Sequence, residues 1–164
     1  MISCNRCGKG IRSKSPQSLN RPGLAAVLLL LAAVTAAGSA AWASQPAEAN
    51  AGKGGEPLEV ASLAAPGQTT LIEFYSPYCP PCLQLAPLLE QLAQKKAGLA
   101  IKKVNINRPE VKGIDWHSPL AKQYGLRSVP YFLIFNPSGK QVSKDKAATR
   151  QVGQWLKEAG LIKE

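Results

Sequence analysis

Two cysteines separated by two prolines, Cys79-Pro80-Pro81-Cys82, stand where one hydrophobic pattern gives way to another. That junction constrains the fold more than any other feature of the chain. Before it, Thr69 to Tyr75 (Thr-Thr-Leu-Ile-Glu-Phe-Tyr) is a near-continuous apolar, β-branched and aromatic run, the composition of a strand buried on both faces. After it, Leu85, Leu88, Leu89 and Leu92 recur at helical spacing as far as about Lys95. Two thiols two residues apart at a helix start are close enough to close a small disulfide ring. Cys79 faces the unsatisfied N–H groups and the positive end of the helix dipole, which favour thiolate over thiol. Cys79 is therefore expected to be the nucleophile. Cys82, one turn into the helix and expected to be more buried, would break a mixed disulfide. Prolines at the first two helical positions are tolerated because those amides lack intrahelical partners; they also remove donors from the neighbourhood of the thiolate. Spacing alone leaves two alternatives, a structural disulfide and half of a metal site.

The remaining pattern extends this strand–helix unit. Leu99 to Ile106 predicts a second strand, and Ser118 to Tyr124 a short helix closed by Gly125. Tyr131–Phe135 and Gln141–Ser143 flank the turn residues Asn136-Pro137-Ser138-Gly139, as in a hairpin. A last helix, from about Ala147 to Ala159, would bury Val152, Trp155, Leu156 and Ala159 and stop at Gly160. The order is β-α-β-α-β-β-α. A right-handed crossover makes the first two strands parallel, and the hairpin adds an antiparallel pair. The fold class expected is α/β, a central mixed β-sheet flanked by helices on both faces.

Charge separates the chain into parts. Lys plus Arg number 20 against 10 Asp plus Glu, a net +10 that raises the question of nucleic acid. Five of the bases (Arg6, Lys9, Arg12, Lys14, Arg21) fall in residues 1–22, where there is no acid. From residue 44 onward 15 bases meet 10 acids without a clustered basic patch, and no nucleic-acid partner is expected. The basic lead is followed by an uncharged stretch from Gly23 to Ala43, apolar at Leu24 to Leu31 and ending in Ala41-Trp42-Ala43 before Ser44. Residues 1–43 thus read as an export signal cleaved after Ala43 or as an N-terminal membrane anchor. In either case positive charge stays on the cytoplasmic side and the rest is exported, to a periplasmic or other extracytoplasmic location. No Cys follows the apolar run and no Arg-Arg pair precedes it, which argues against lipoprotein attachment and twin-arginine export. Cys4 and Cys7 form a second CxxC within the tail, without the further ligand pair that a zinc knuckle needs. Residues 44–57 are small, polar and Gly/Pro-interrupted and read as a flexible linker; residues 58–164 are the folded domain. With 45% hydrophobic residues and four cysteines, neither a disordered chain nor a disulfide-dense scaffold is compatible with the composition.

At the motif itself, residues 69–160 resemble a thioredoxin-fold domain, of the exported, TlpA-like kind with a CPPC motif. Leu71-Ile72-Glu73-Phe74-Tyr75 precedes the cysteines as that family's central strand does. Pro87 falls eight residues after Cys79, where the family kinks its active-site helix, and Val129-Pro130 precedes the next strand, where it keeps a cis-proline. The resemblance implies a thiol–disulfide oxidoreductase with a Cys79–Cys82 redox disulfide. It also implies that the Val129 backbone pairs with an extended substrate segment beside Pro130; a trans proline opening an edge strand is the plainer alternative. Glu73 stands six residues before Cys79, where thioredoxins typically keep a buried Asp that relays protons to the second cysteine, and the longer Glu arm departs from that pattern. Burial would raise its pKa towards neutrality and make it a general base for Cys82. A solvated edge carboxylate is the alternative. Lys103, on the neighbouring strand, stands in the position of a charge partner.

Around the cysteines, Tyr75 and Tyr78 are expected to form an apolar rim, with Tyr78 touching substrate. The stretch from Arg108 to His117 is longer than in a minimal thioredoxin and should lie on the cysteine face, because loops at the C-terminal ends of parallel strands share that side. There Asp115, Trp116 and His117 would shape partner choice. Trp116 either packs beneath its loop, as large aromatics usually do, or contacts substrate. The only histidine, His117, is assigned no catalytic part. The reading is an extracytoplasmic, monomeric oxidoreductase of protein thiols and disulfides that needs no cofactor beyond its dithiol. It works more as a reductase than as an oxidase and is served by a membrane redox partner, although CPPC is compatible with either direction. The rival from another class is a thioredoxin-fold chaperone holding a soft ion such as Cu(I) between Cys79 and Cys82.

Overall fold

The computed structural model describes residues 46–163. The export or anchor reading of residues 1–43 and the Cys4/Cys7 pair fall outside them. Within the described residues the elements are β1 (Ala47–Glu48), a 3₁₀ turn (Val60–Leu63), β2 (Thr69–Tyr75), α1 (Pro80–Lys95), β3 (Leu99–Asn105), α2 (Pro119–Gln123), β4 (Tyr131–Phe135), β5 (Gln141–Lys144) and α3 (Asp145–Glu158). They build a five-stranded sheet in the order β1-β3-β2-β4-β5. β1 and β2 both run parallel to β3, while β4 is antiparallel to β2 and to β5. No helix among the described residues is long and apolar enough to cross a membrane.

Alternation along the strands divides the core between the two faces. Leu71, Ile101, Phe132 and Ile134 meet Leu89, Leu92 and Ala93 of α1 and Ala148, Val152, Trp155 and Leu156 of α3. Ile72, Phe74, Val104, Ile106, Leu133 and Phe135 meet Leu120 and Ala121 of α2 and Val60 of the 3₁₀ turn on the other face. β2 and β3, in the centre, are apolar on both sides because helices cover both. Leu89 and Leu92 are fully buried, and truncating either to Ala would cost about 2–5 kcal/mol. The mixed sheet with helices on both faces expected from the sequence is the one observed.

One expected boundary is corrected. Residues 46–57, read as part of a flexible linker, are docked onto the sheet. Ala47 and Glu48 pair with Lys102 and Lys103, and the Ala49 N–H donates to the Lys103 carbonyl at 2.7 Å. The buried Asn50 then extends the ladder with its side chain: its Oδ1 accepts from the Asn105 N–H and its Nδ2 donates to the Asn105 carbonyl, both at 2.8 Å. Gly54 and Gly55 let the backbone approach closely. A Cβ at Gly54 would lie on the Asn107 carbonyl, and one at Gly55, where φ is +75°, would lie 2.8 Å from the Arg108 nitrogen. The glycines that look like linker composition are required for packing.

Candidate active site

β2 ends at Tyr75 and the chain turns sharply into α1. Ser76, fully buried, organises the turn: its Oγ accepts from the Tyr78 N–H and its carbonyl from the Cys79 N–H, both at 3.1 Å. Sequence reasoning passed over Ser76, although Ser followed by Pro77 is the signature of the first two positions of a type I turn. Cys79 is the N-cap of α1, and Pro80 and Pro81 fill the first two helical positions. Neither proline has an N–H, so the first amide able to serve the sulfur is that of Cys82, which donates to Cys79 Sγ at 3.2 Å. The Leu83 N–H donates instead to the Cys79 carbonyl at 3.1 Å. The helix start thus offers Cys79 a single amide and the positive end of its dipole.

The two cysteines are joined in a disulfide with their Cα atoms 5.3 Å apart. The expectation that Cys82 is the more buried is not met: in this oxidised form Cys79 and Cys82 are 1% and 2% exposed. Cys79 is covered by the loop before β4, where Val129–Pro130 is cis and the Val129 carbonyl oxygen lies 3.5 Å from Cys79 Sγ. The chain therefore brings Val129 and Pro130 against the disulfide from a point fifty residues further on. Tyr78, the residue before Cys79, is 41% exposed.

Glu73 is fully buried, and among the described residues neither of its carboxylate oxygens has a hydrogen-bond partner. It shares the sheet face of Leu71, which α1 covers. Because β2 and α1 run in opposite directions through a tight turn, Glu73 lies towards the end of the helix that carries Cys82. Burial pushes its pKa up to about 7, against the opposing pull of Lys103. Lys103 pairs in register with Glu73, but its ammonium sits over the Tyr75 ring, 4.5 Å from the centroid. Tyr75 is thereby placed among charged groups, and the expectation that it shares an apolar rim with Tyr78 is corrected. Its hydroxyl pKa is raised, first by burial and then by the nearby carboxylate of Glu48.

The loop from Arg108 to His117 borders a cleft of about 200 Å³ whose other walls include Pro77, Tyr78 and Glu48. Its centre is Asp115, 3% exposed, whose Oδ2 and Oδ1 accept from Arg108 Nε at 2.7 Å and Nη2 at 3.2 Å. The guanidinium bonds hold the Asp115 pKa below the usual carboxylate range. Asn107 closes the loop, its Nδ2 donating to the Gly113 carbonyl. Trp116 does not pack beneath this loop: it is 36% exposed. Among the described residues no three or more His, Cys, Asp or Glu side chains gather in a metal-binding group.

The thioredoxin family model matches residues 60–158, which span β2 to α3 with the CPPC junction and the Val129–Pro130 loop. The chain belongs to the thioredoxin family. Thioredoxin 1 of Nostoc sp. is 37% identical over 70 residues, 43% of this chain and 59% of that protein. Thioredoxin of Chlamydia caviae is 38% identical over 74 residues, 45% of this chain and 64% of that protein. The chain thus spans less than two thirds of the length of these curated relatives. Among solved structures, Fasciola hepatica thioredoxin aligns with a TM-score of 0.47 at 20% identity, covering 70% of this chain and 99% of that one. The thioredoxin family assignment fits the resemblance read from Cys79, Cys82, Pro87 and Val129-Pro130.

Proposed function

We propose that this thioredoxin-family chain is an extracytoplasmic thiol–disulfide oxidoreductase that reduces protein disulfides through Cys79 and Cys82. The observation that carries the reading is the helix-capping position of Cys79, with the Cys82 amide aimed at its sulfur. In the reduced protein that amide and the helix dipole stabilise a Cys79 thiolate. The thiolate attacks one sulfur of a substrate disulfide; the new Cys79–substrate bond forms as the substrate S–S bond breaks, and the departing thiolate takes a proton from solvent. Glu73 then accepts the Cys82 proton. The Cys82 thiolate attacks Cys79 Sγ and expels the second substrate thiolate. The substrate gains two electrons and the protein is left with the disulfide seen here. An exogenous dithiol donor must restore it, and in the cell that donor would be a membrane redox partner. The Val129 backbone and the exposed ring of Tyr78 border Cys79 where an extended substrate segment would lie. The basic lead and apolar stretch of residues 1–43 support export, as a cleaved signal or a retained anchor.

Insulin reduction with dithiothreitol as donor tests the assignment. The wild-type protein should accelerate insulin B-chain precipitation, and Cys79→Ser should abolish the acceleration. No acceleration by wild type, together with stoichiometric Cu(I) binding, would replace the enzyme with a metal-binding module. N-terminal sequencing of the exported protein distinguishes cleavage after Ala43 from retention.

A further inference from the structure

The docked segment before the 3₁₀ turn adds a charge to the row that contains Glu73. Glu48 of β1 and Glu73 of β2 are both in register with Lys103 of β3. Register partners project to the same face of a sheet, and so do residues two apart on a strand. Glu48, Lys103, Glu73 and Tyr75 therefore lie on one face, with the cation between two carboxylates. Burial is graded along the row. Glu48 is exposed and lines the cleft beside Tyr78, Lys103 and Tyr75 are half-buried, and Glu73 is fully buried. Lys103 forms no ion pair within 4 Å of either carboxylate; its ammonium lies over the Tyr75 ring, on whose hydroxyl the Glu48 carboxylate acts. α1, whose start carries Cys79 and Cys82, covers this face, while β4 presents Phe132 as the register partner of Glu73.

We propose that Glu48 is a positioning residue for the exchange reaction: it draws the Lys103 ammonium towards the outer, Tyr75 side of the row and so keeps Glu73 able to hold and release a proton beside Cys82. The proposal deepens the oxidoreductase reading and rests on Glu73 as the proton acceptor in it. With Glu48 neutral, the ammonium acts on Glu73 alone, which favours the Glu73 carboxylate. The segment that resembles a linker thereby tunes the site through the sheet, two strands from the cysteines.

The test is the Glu73 titration midpoint, read from its side-chain carboxyl carbon by NMR in the oxidised full chain, where the thiols do not titrate. Glu48→Gln should lower the midpoint by about one unit, the size of effect an opposite charge has at close range. Glu48→Lys should lower it further. In a Lys103→Met background, Glu48→Gln should have less than half that effect, because the route through Lys103 is gone. Amide spectra verify that each variant keeps β1 paired, which the backbone hydrogen bonds permit at this exposed position. An unchanged midpoint in both Glu48 variants, or an equal shift with and without Lys103, would overturn the proposal. The readout does not depend on turnover, so failure of the oxidoreductase reading shows separately, as absent insulin reduction with the NMR shifts intact.

Discussion

Replacing Glu73 by Leu should make the protein more stable at alkaline pH and change its stability little at acid pH. The folded pKa of Glu73 is raised from 4.5 to about 7 by burial, which outweighs the opposing pull of Lys103, and neither oxygen has a hydrogen-bond partner to favour the charged form. Below pH 4.5 the carboxyl is protonated in both the folded and the unfolded chain and contributes nothing. Between 4.5 and 7 the folded chain holds a proton that the unfolded chain has released, so stability falls as pH rises. The slope approaches about 1.4 kcal/mol per pH unit. Above 7 the loss is complete, at about 3 kcal/mol, each unit of pKa difference being worth about 1.4 kcal/mol. Leu fills a similar volume, and any packing difference it introduces is independent of pH. Urea unfolding of the oxidised wild type and Glu73→Leu between pH 4 and 9 measures this. The gap between the two proteins should open by about 3 kcal/mol from pH 4.5 to pH 8. A constant gap would refute the account of Glu73 as a buried, unpartnered carboxyl.

Three further outcomes follow from the geometry. Pro81→Ala restores an amide at the second position of α1, beside Cys79 Sγ; a hydrogen bond to a charged group is worth about 1.5–3 kcal/mol. The reduction potential should therefore rise by roughly 30–60 mV, as measured against glutathione. Gly54→Ala places a methyl group on the Asn107 carbonyl and should cost about 1–3 kcal/mol in urea unfolding. Hydrogen exchange should quicken at Ala49 and Asn105, whose amides the docked segment protects. The lowered pKa of Asp115 means that its pairing with Arg108 stabilises the loop above the usual carboxylate range and is lost as pH falls through the depressed value. Protection of the Asp115 and His117 amides, taken relative to the intrinsic exchange rate at each pH, should fall on acidification, and Asp115→Asn should lack that protection already at neutral pH.

The parts of this fold that were legible in the sequence are those set by side-chain periodicity. β2 and the positions of Leu89 and Leu92 followed from an apolar run and a helical repeat, and Val152, Trp155 and Leu156 marked the buried side of α3. The parts that were not legible are held by backbone and by local charge. β1 has two residues and carries no periodic signal; its attachment depends on the Asn50 side chain imitating a peptide group and on two glycines whose absent Cβ atoms permit contact. The composition of such a segment cannot be told from that of a linker. Of the two alternatives for Trp116, packing beneath its loop rested on an average tendency of aromatics, and the loop buries the Asp115 side chain instead. At the site, Cys79, Cys82, Glu73 and Pro130 were marked by spacing and resemblance. The turn around Ser76 and the outward placement of Lys103 over Tyr75 became visible only in three dimensions.

Trapping the mixed disulfide identifies which sulfur attacks the substrate. Reduced Cys82→Ser is mixed with a disulfide-bonded protein such as insulin, quenched with acid and digested for mass spectrometry. A stable covalent complex should form with its linkage at Cys79, and Cys79→Ser should form none under the same conditions. A linkage that maps elsewhere, or an equal yield from Cys79→Ser, would contradict Cys79 as the attacking sulfur and Cys82 as the one that resolves.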